Sequence, residues 1–184
     1  MDRMPAAQQI AVTGIGGQGV LFLTRVLTES ALDCGLEVIA SETHGMAMRG
    51  GSVISQIKIG DYQSPLIRYG EADMVLGTSV VEAQRNRPFL KEGGTLFMNT
   101  EQKGDYCVDA TKIAHGLGNP RGGNVVLMGY ALAHLAPAIS LEPFLEVVKG
   151  LSPGRFLSGN VKVLQEGWRI ALRADKEGEK GKGM

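Results

Sequence analysis

Two short stretches of this 184-residue chain concentrate the residue types that bind or react. The first is Gly14-Ile15-Gly16-Gly17-Gln18-Gly19, a G-x-G-x-x-G run between the apolar segment Ile10 to Thr13 and Val20, Leu23, Val26 and Leu27 at helical spacing. In a strand, glycine loop, helix order, glycines let the backbone approach a phosphate, and free N–H groups at the helix start attract it. Three readings stay open: a dinucleotide site, a structural turn, and a contact for another phosphate-bearing ligand or a subunit. A dinucleotide site wants an acidic residue about 20 positions on, and Glu42 is the nearest candidate. Gln18 is not the Lys followed by Ser or Thr that a P-loop needs, which argues against a triphosphatase.

The second stretch, Ser41 to Ser52, follows a strand end, where α/β sheets place their ligand crevice. Glu42, His44 and Arg49 are its charged or titratable groups, Gly50 and Gly51 expose backbone N–H groups, and Ser52 ends it. Arg49 has the fork geometry to grip a phosphate or carboxylate, and His44 titrates near neutral pH. Met46 and Met48 are adaptable apolar groups, which favours a partner-facing loop. The duller alternative is a structured loop closed by a Glu42–Arg49 ion pair.

Little else has catalytic spacing. His115 and His134 are lone histidines in helical patterns, and Ser52, Ser79 and Ser158 lack a G-x-S-x-G elbow. Asn124 stands before an apolar helix, either to cap it or to hold a ligand amide.

The elements that must position these groups alternate strand and helix. After the opening unit, Leu36 to Ala40 is expected to run as a second strand parallel to the first, giving a βαβ unit. Val53 to Ile59 reads as a partly exposed strand, and Tyr62 to Ile67, limited by Pro65, as its partner in an edge hairpin. Met74 to Leu76 begins a buried strand, Val80 to Leu90 a helix capped by Ser79, and Thr95 to Met98 a strand after Gly93 and Gly94. Helices are expected at Asn124–Leu135, Leu141–Lys149 and Asn160–Ala174. The fold class is therefore α/β, a three-layer α/β/α sandwich on a largely parallel sheet with a Rossmann-like opening. Residues 1–174 read as one domain, and the Lys, Glu and Gly of 175–184 as a disordered charged tail.

Composition narrows the function classes. Nineteen Lys plus Arg balance nineteen Asp plus Glu, so nothing advertises a nucleic-acid or polybasic membrane partner. Cys34 and Cys107 are too few for an iron–sulfur cluster or a disulfide framework. No apolar run reaches the roughly 20 residues that span a bilayer, and Met1 to Gln9 lacks signal-peptide order, which points to the cytoplasm. The 26 glycines gather in clusters beside apolar segments, as loops between strands and helices require.

The glycine run, His44-Gly45-Met46 leading into Arg49-Gly50-Gly51-Ser52-Val53, Glu71-Ala72-Asp73, Gly93-Gly94-Thr95 and Asn124 occur in an order that resembles one family. It is the gamma-type domain of the pyruvate, ketoisovalerate and indolepyruvate 2-oxoacid:ferredoxin oxidoreductases, and the likeness leans to the small subunit of the indolepyruvate type. Met48 departs from the Gln expected there. The resemblance implies oxidative decarboxylation of a 2-oxoacid to an acyl-coenzyme A with reduction of ferredoxin. It also implies a large companion subunit carrying thiamine diphosphate, magnesium and iron–sulfur clusters, since this chain has no G-D-G element with its paired Asn and no cysteine quartets. The chain itself would be catalytically inert. Its cofactor-binding candidates are Gly14, Gly16, Gly17, Gln18, Gly19 and Asn124, with coenzyme A as ligand at the interface. Glu42, His44, Met46, Arg49, Gly50, Gly51 and Ser52 are the interface or ligand candidates. Alone, the chain is expected to expose apolar surface suited to a homodimer. The competing reading is a stand-alone NAD- or flavin-dependent reductase on the same glycine turn.

Overall fold

A computed structural model describes residues 7–44, 50–104, 106–134 and 140–181, with the backbone alone at 44 and 174–181. The elements in order are β1 (Gln8–Ile15), α1 (Val20–Asp33), β2 (Val38–His44), β3 (Ser52–Ile59), β4 (Ala72–Gly77), α2 (Val80–Asn86), a 3-10 turn (Arg87–Phe89), β5 (Leu90–Asn99), β6 (Cys107–Val108), α3 (Ala110–Gly116), α4 (Gly123–His134), α5 (Glu142–Leu151) and α6 (Gly154–Gly181). One six-stranded sheet runs β2-β3-β1-β4-β5-β6. β1, β4, β5 and β6 are mutually parallel, and β3 is antiparallel to both of its neighbours.

The α/β class and the mostly parallel sheet are as expected, but the opening unit is split. β2 points the same way as β1 without touching it, because β3 inserts between them, pairing Val53 with both Gly14 and His44. The cause lies in β3 itself. Val53, Ile57 and Ile59 pack into the main core on one face, while Ile54, Gln56 and Lys58 face the other, and all but Ser52 and Ile54 are buried. A strand buried on both faces belongs inside a sheet. The edge hairpin is thus β2–β3, with β2 outermost. Tyr62–Ile67 forms no strand, since Pro65 has no N–H to give a ladder. That segment instead crosses the sheet as a strap, with Ile67 N–H donating to Gln56 Oε1.

Two helix boundaries also move. Pro88 ends α2 early, in the 3-10 turn, and Leu90 already opens β5, so Gly93 and Gly94 lie within that strand. Gly93 takes φ 74°, and a Cβ on Gly94 would stand 2.8 Å from the Ala72 carbonyl, which accounts for glycine where the β4–β5 register shifts. α6 starts at Gly154, directly after Pro153, because Pro is tolerated at a helix start.

One face of the sheet carries the main core. Ile10, Val12, Met74, Leu76 and Phe97 meet Leu23 and Leu27 of α1 and the buried helix α4, which is backed by α6 and α3, while α5 packs on α1 and α6. α4 and α6 approach so closely that a Cβ on Gly129 would lie 2.1 Å from the Leu164 carbonyl, and one on Gly167 2.1 Å from that of Val126. The third layer is thin. Among the described residues, the opposite face at Ala11 and Val75 is covered by the two-turn α2, Phe89 of the 3-10 turn and the strap around Ile67.

Candidate functional site

The carboxyl ends of β1, β4 and β5 converge on a cleft of about 520 Å³. Gln18, at the centre of the glycine turn, folds back so that its Oε1 accepts from the Ile15 N–H at 2.9 Å and from Thr78 Oγ at 2.9 Å. Thr78 is anchored in turn, its N–H donating to the Thr13 carbonyl at 2.9 Å. Packing is tight enough that a Cβ on Gly14 would stand 2.0 Å from Thr78 Oγ. Gly17 and Gly19 adopt φ 99° and 77°, which side-chain-bearing residues disfavour. The turn thus rests on conformational freedom at two glycines and on close approach at Gly14.

Asn124 stands in the first turn of α4, 105 residues from the turn it touches, and its Nδ2 donates to the Gly19 carbonyl at 3.3 Å. The side chain therefore ties two helix starts together instead of capping its own. Neither α1 nor α4 has an acidic residue in its first turn, and no side chain caps α1, so both ends bring positive dipole to the cleft. The opposite wall pairs Asn99 Nδ2 with Thr111 Oγ at 2.9 Å, and Arg121 closes it. Sequence reasoning missed Thr78, Asn99, Thr111 and Arg121. No local motif marks them, and only Thr78 and Asn99, at the ends of β4 and β5, had a position that hinted at a role.

The second sequence stretch reaches the same edge. Gly16 N–H donates to the Gly51 carbonyl at 2.8 Å, and Gly50 N–H to the Gly16 carbonyl at 3.5 Å. Ser52 begins β3, and its hydroxyl donates to Glu82, a carboxylate only 5% exposed that also takes Arg85 Nη1 at 2.6 Å. Glu42 is an exposed residue of the edge strand β2, and His44 ends that strand. Met46, Met48 and Arg49 lie outside the described residues, so the ion pair suggested for Glu42 and Arg49 does too. Glu42 belongs to the edge strand, and β3 stands between that strand and the glycine turn.

Among the described residues no three His, Cys, Asp or Glu side chains cluster as a metal site. Cys34 is exposed at the end of α1 and Cys107 opens β6. Desolvation, and then the Asp33 charge, raise the Cys34 thiol above its ordinary range. These residues do not fit an iron–sulfur cluster. No described helix is long and apolar enough to cross a membrane.

A Rossmann-like α/β domain with a glycine turn after its first strand, hydrogen-bonded to an inserted hairpin, is the class that fold and cleft define. Residues 9–170 match the family Pyruvate ferredoxin/flavodoxin oxidoreductase. The chain belongs to that family. It is 30% identical to Indolepyruvate oxidoreductase subunit IorB of Archaeoglobus fulgidus, over 89% of this chain and 94% of that one. The same subunit of Pyrococcus horikoshii is 31% identical, over 88% and 95%. Among solved structures, the gamma subunit of the keto/oxoacid ferredoxin oxidoreductase of Geobacter sulfurreducens superposes with a TM-score of 0.74 at 26% identity, covering 90% of this chain and 99% of that one. In fold and length the chain is a small, gamma-type subunit of a 2-oxoacid:ferredoxin oxidoreductase. A stand-alone reductase is not favoured.

Proposed function

We propose that this chain completes an indolepyruvate-type 2-oxoacid:ferredoxin oxidoreductase and presents its glycine-turn cleft and the stretch from Glu42 to Ser52 to a large companion subunit. The carrying observation is the pair of hydrogen bonds between Gly16 and Gly50–Gly51, which ties the glycine turn to the segment that leads into β3. Thiamine diphosphate, magnesium and the iron–sulfur clusters belong to the companion, and ferredoxin takes its electrons there. Coenzyme A enters at the junction, its phosphates drawn by the α1 and α4 starts and Arg121. Gly14, Gly17 and Gly19 hold the turn open, while Gln18 and Asn124 fix its shape. Arg49, Met46 and His44 contact the companion. The complex works in the cytoplasm, and the isolated subunit self-associates through the surface the companion would cover.

An anaerobic pull-down with this chain as bait, followed by indolepyruvate- and pyruvate-dependent viologen reduction, tests the reading. Recovery of a large cysteine-rich chain with coenzyme A-dependent activity supports it. Recovery of the bait alone, with saturable NADH or FMN binding, overturns it.

A further inference from the structure

The two edges of the sheet are not alike. At one, β6 has two residues, and β5 behind it carries the register shift around Gly93 and Gly94. Shortness and irregular register are devices that keep an edge from pairing with another chain. At the other edge, β2 runs seven residues in unbroken register with β3 and contains neither Pro nor Lys. Glu42 is the one acid or base between Val38 and Thr43. Among the described residues nothing pairs with the outer side of β2.

The direction of its backbone groups follows from its inner pairing. Gly60 N–H donates to the Glu37 carbonyl at 2.8 Å, one step beyond the Val38–Ile59 pair. In an antiparallel ladder, residues that exchange bonds alternate with residues that do not. Glu37, Ile39, Ser41 and Thr43 therefore turn their N–H and C=O groups to β3, while Val38, Ala40 and Glu42 turn theirs outward.

These outward groups are symmetric about Ala40. A second copy related by a two-fold axis there sets Ala40 opposite Ala40, Val38 opposite Glu42 and Glu42 opposite Val38, each pair exchanging both N–H···O bonds. The side chains fit the same axis. Ala40 is small and exposed, so it meets its own copy without collision, and half-buried Ile39 gains cover from Ser41 in the closer, non-hydrogen-bonded pair. Glu37 lies opposite Thr43, so no like charges face each other. The two Glu42 side chains stand about 13 Å apart along the strands at about 3.3 Å per residue, beyond a Debye length of about 8 Å.

We infer that β2 is a dimer edge for a second copy of this chain: the two β2 strands pair antiparallel about Ala40 into one continuous sheet, with six strands from each copy. This gives the self-association proposed above a defined surface, and rests on that reading only for its overlap with the companion's face at Glu42.

Sedimentation velocity of the full chain from about 1 to about 500 μM tests the pairing. A concentration-dependent dimer is expected, with Kd raised at least about ten-fold by Ala40→Pro. Proline there removes an N–H that β3 does not use, so circular dichroism and Tm should stay near those of the wild type. Ala40→Lys, which sets two ammonium groups face to face across the axis, serves if the proline variant does not fold. In a Cys34→Ser background, Ala40→Cys should yield a disulfide-linked dimer on oxidation, because facing Cα atoms about 5.5 Å apart suit a disulfide, whereas Thr43→Cys, far from its own copy, should not. A monomer at every concentration, a dimer that neither substitution of Ala40 weakens, or crosslinking at position 43 and not at position 40 overturns the inference. No companion is needed for these measurements. A failed pull-down with the dimer intact therefore counts against the proposed function alone, and a missing dimer beside an active complex counts against the edge alone.

Discussion

Gly19→Ala separates backbone strain from collision at the turn, provided it is read beside Gly17→Ala. Both glycines have positive φ, 77° and 99°, so a side chain at either costs about 1–2 kcal/mol of conformational energy. A Cβ at Gly17 meets nothing within 4 Å, whereas one at Gly19 would stand 2.3 Å from Asn124 Nδ2. Expelling that amide adds the loss of its bond to the Gly19 carbonyl, about 1 kcal/mol, and about 1–2 kcal/mol of overpacking. Gly19→Ala is thus expected to cost about 3–5 kcal/mol, against about 1–2 kcal/mol for Gly17→Ala. For a chain of this length each kcal/mol lowers Tm by about 2–4 °C. Asn124→Ala alone should cost about 1 kcal/mol and, combined with Gly19→Ala, remove the collision. The resulting double-mutant cycle should show a coupling of about 1–3 kcal/mol by urea denaturation. Equal losses at the two glycines, or a cycle that sums to zero, would refute the placement of Asn124 against the turn.

At the α4–α6 crossing, Gly167→Ala forces a methyl against the Val126 carbonyl and should cost about 3 kcal/mol or more, while Gly150→Ala, in open helix, should gain about 0.5–1 kcal/mol; thermal denaturation of the pair checks both. Glu82→Ala strips the Ser52 hydroxyl of its acceptor, at a cost of about 1–2 kcal/mol, and should speed amide exchange across Gly50 to Val53; unchanged exchange would show that Glu82 does not hold that end of the loop. Arg169, donating to Glu166 within α6, holds the Glu166 carboxyl below its ordinary value. Its contribution is therefore present above the unfolded carboxylate pKa and lost as pH falls through the folded one, so Glu166→Gln should be less stable than the wild type at pH 7 and equal to it at the acid end of a pH series of denaturation curves.

Much of the site is legible as sequence because its causes are local. Glycines at 14, 17 and 19 are demanded by turn geometry and close approach, and Val20 onward has the apolar period of a helix, so strand, turn and helix can be read directly. The uninterrupted apolarity from Val125 to Ala133 likewise announces a helix buried on all sides. Pro65 and Pro88 carried signals too, yet their weight was local and their consequences were not: one turns a strand into a strap, the other shortens a helix and hands Leu90 to β5.

What the chain's own order could not disclose is which distant segments meet. The insertion of β3 between β1 and β2 depends on which strand can bury both faces, a comparison among strands that no single segment contains. From that choice follows the bonding of Gly16 to Gly50 and Gly51. Thr78 reaches Gln18 across 60 residues and Asn124 reaches Gly19 across 105. Sequence determined the turn, the helix faces and the glycines whose backbone takes positive φ, because backbone sterics and periodicity act over a few residues. The tertiary structure alone decided the cleft and the buried Glu82, because strand order and helix packing bring their walls together.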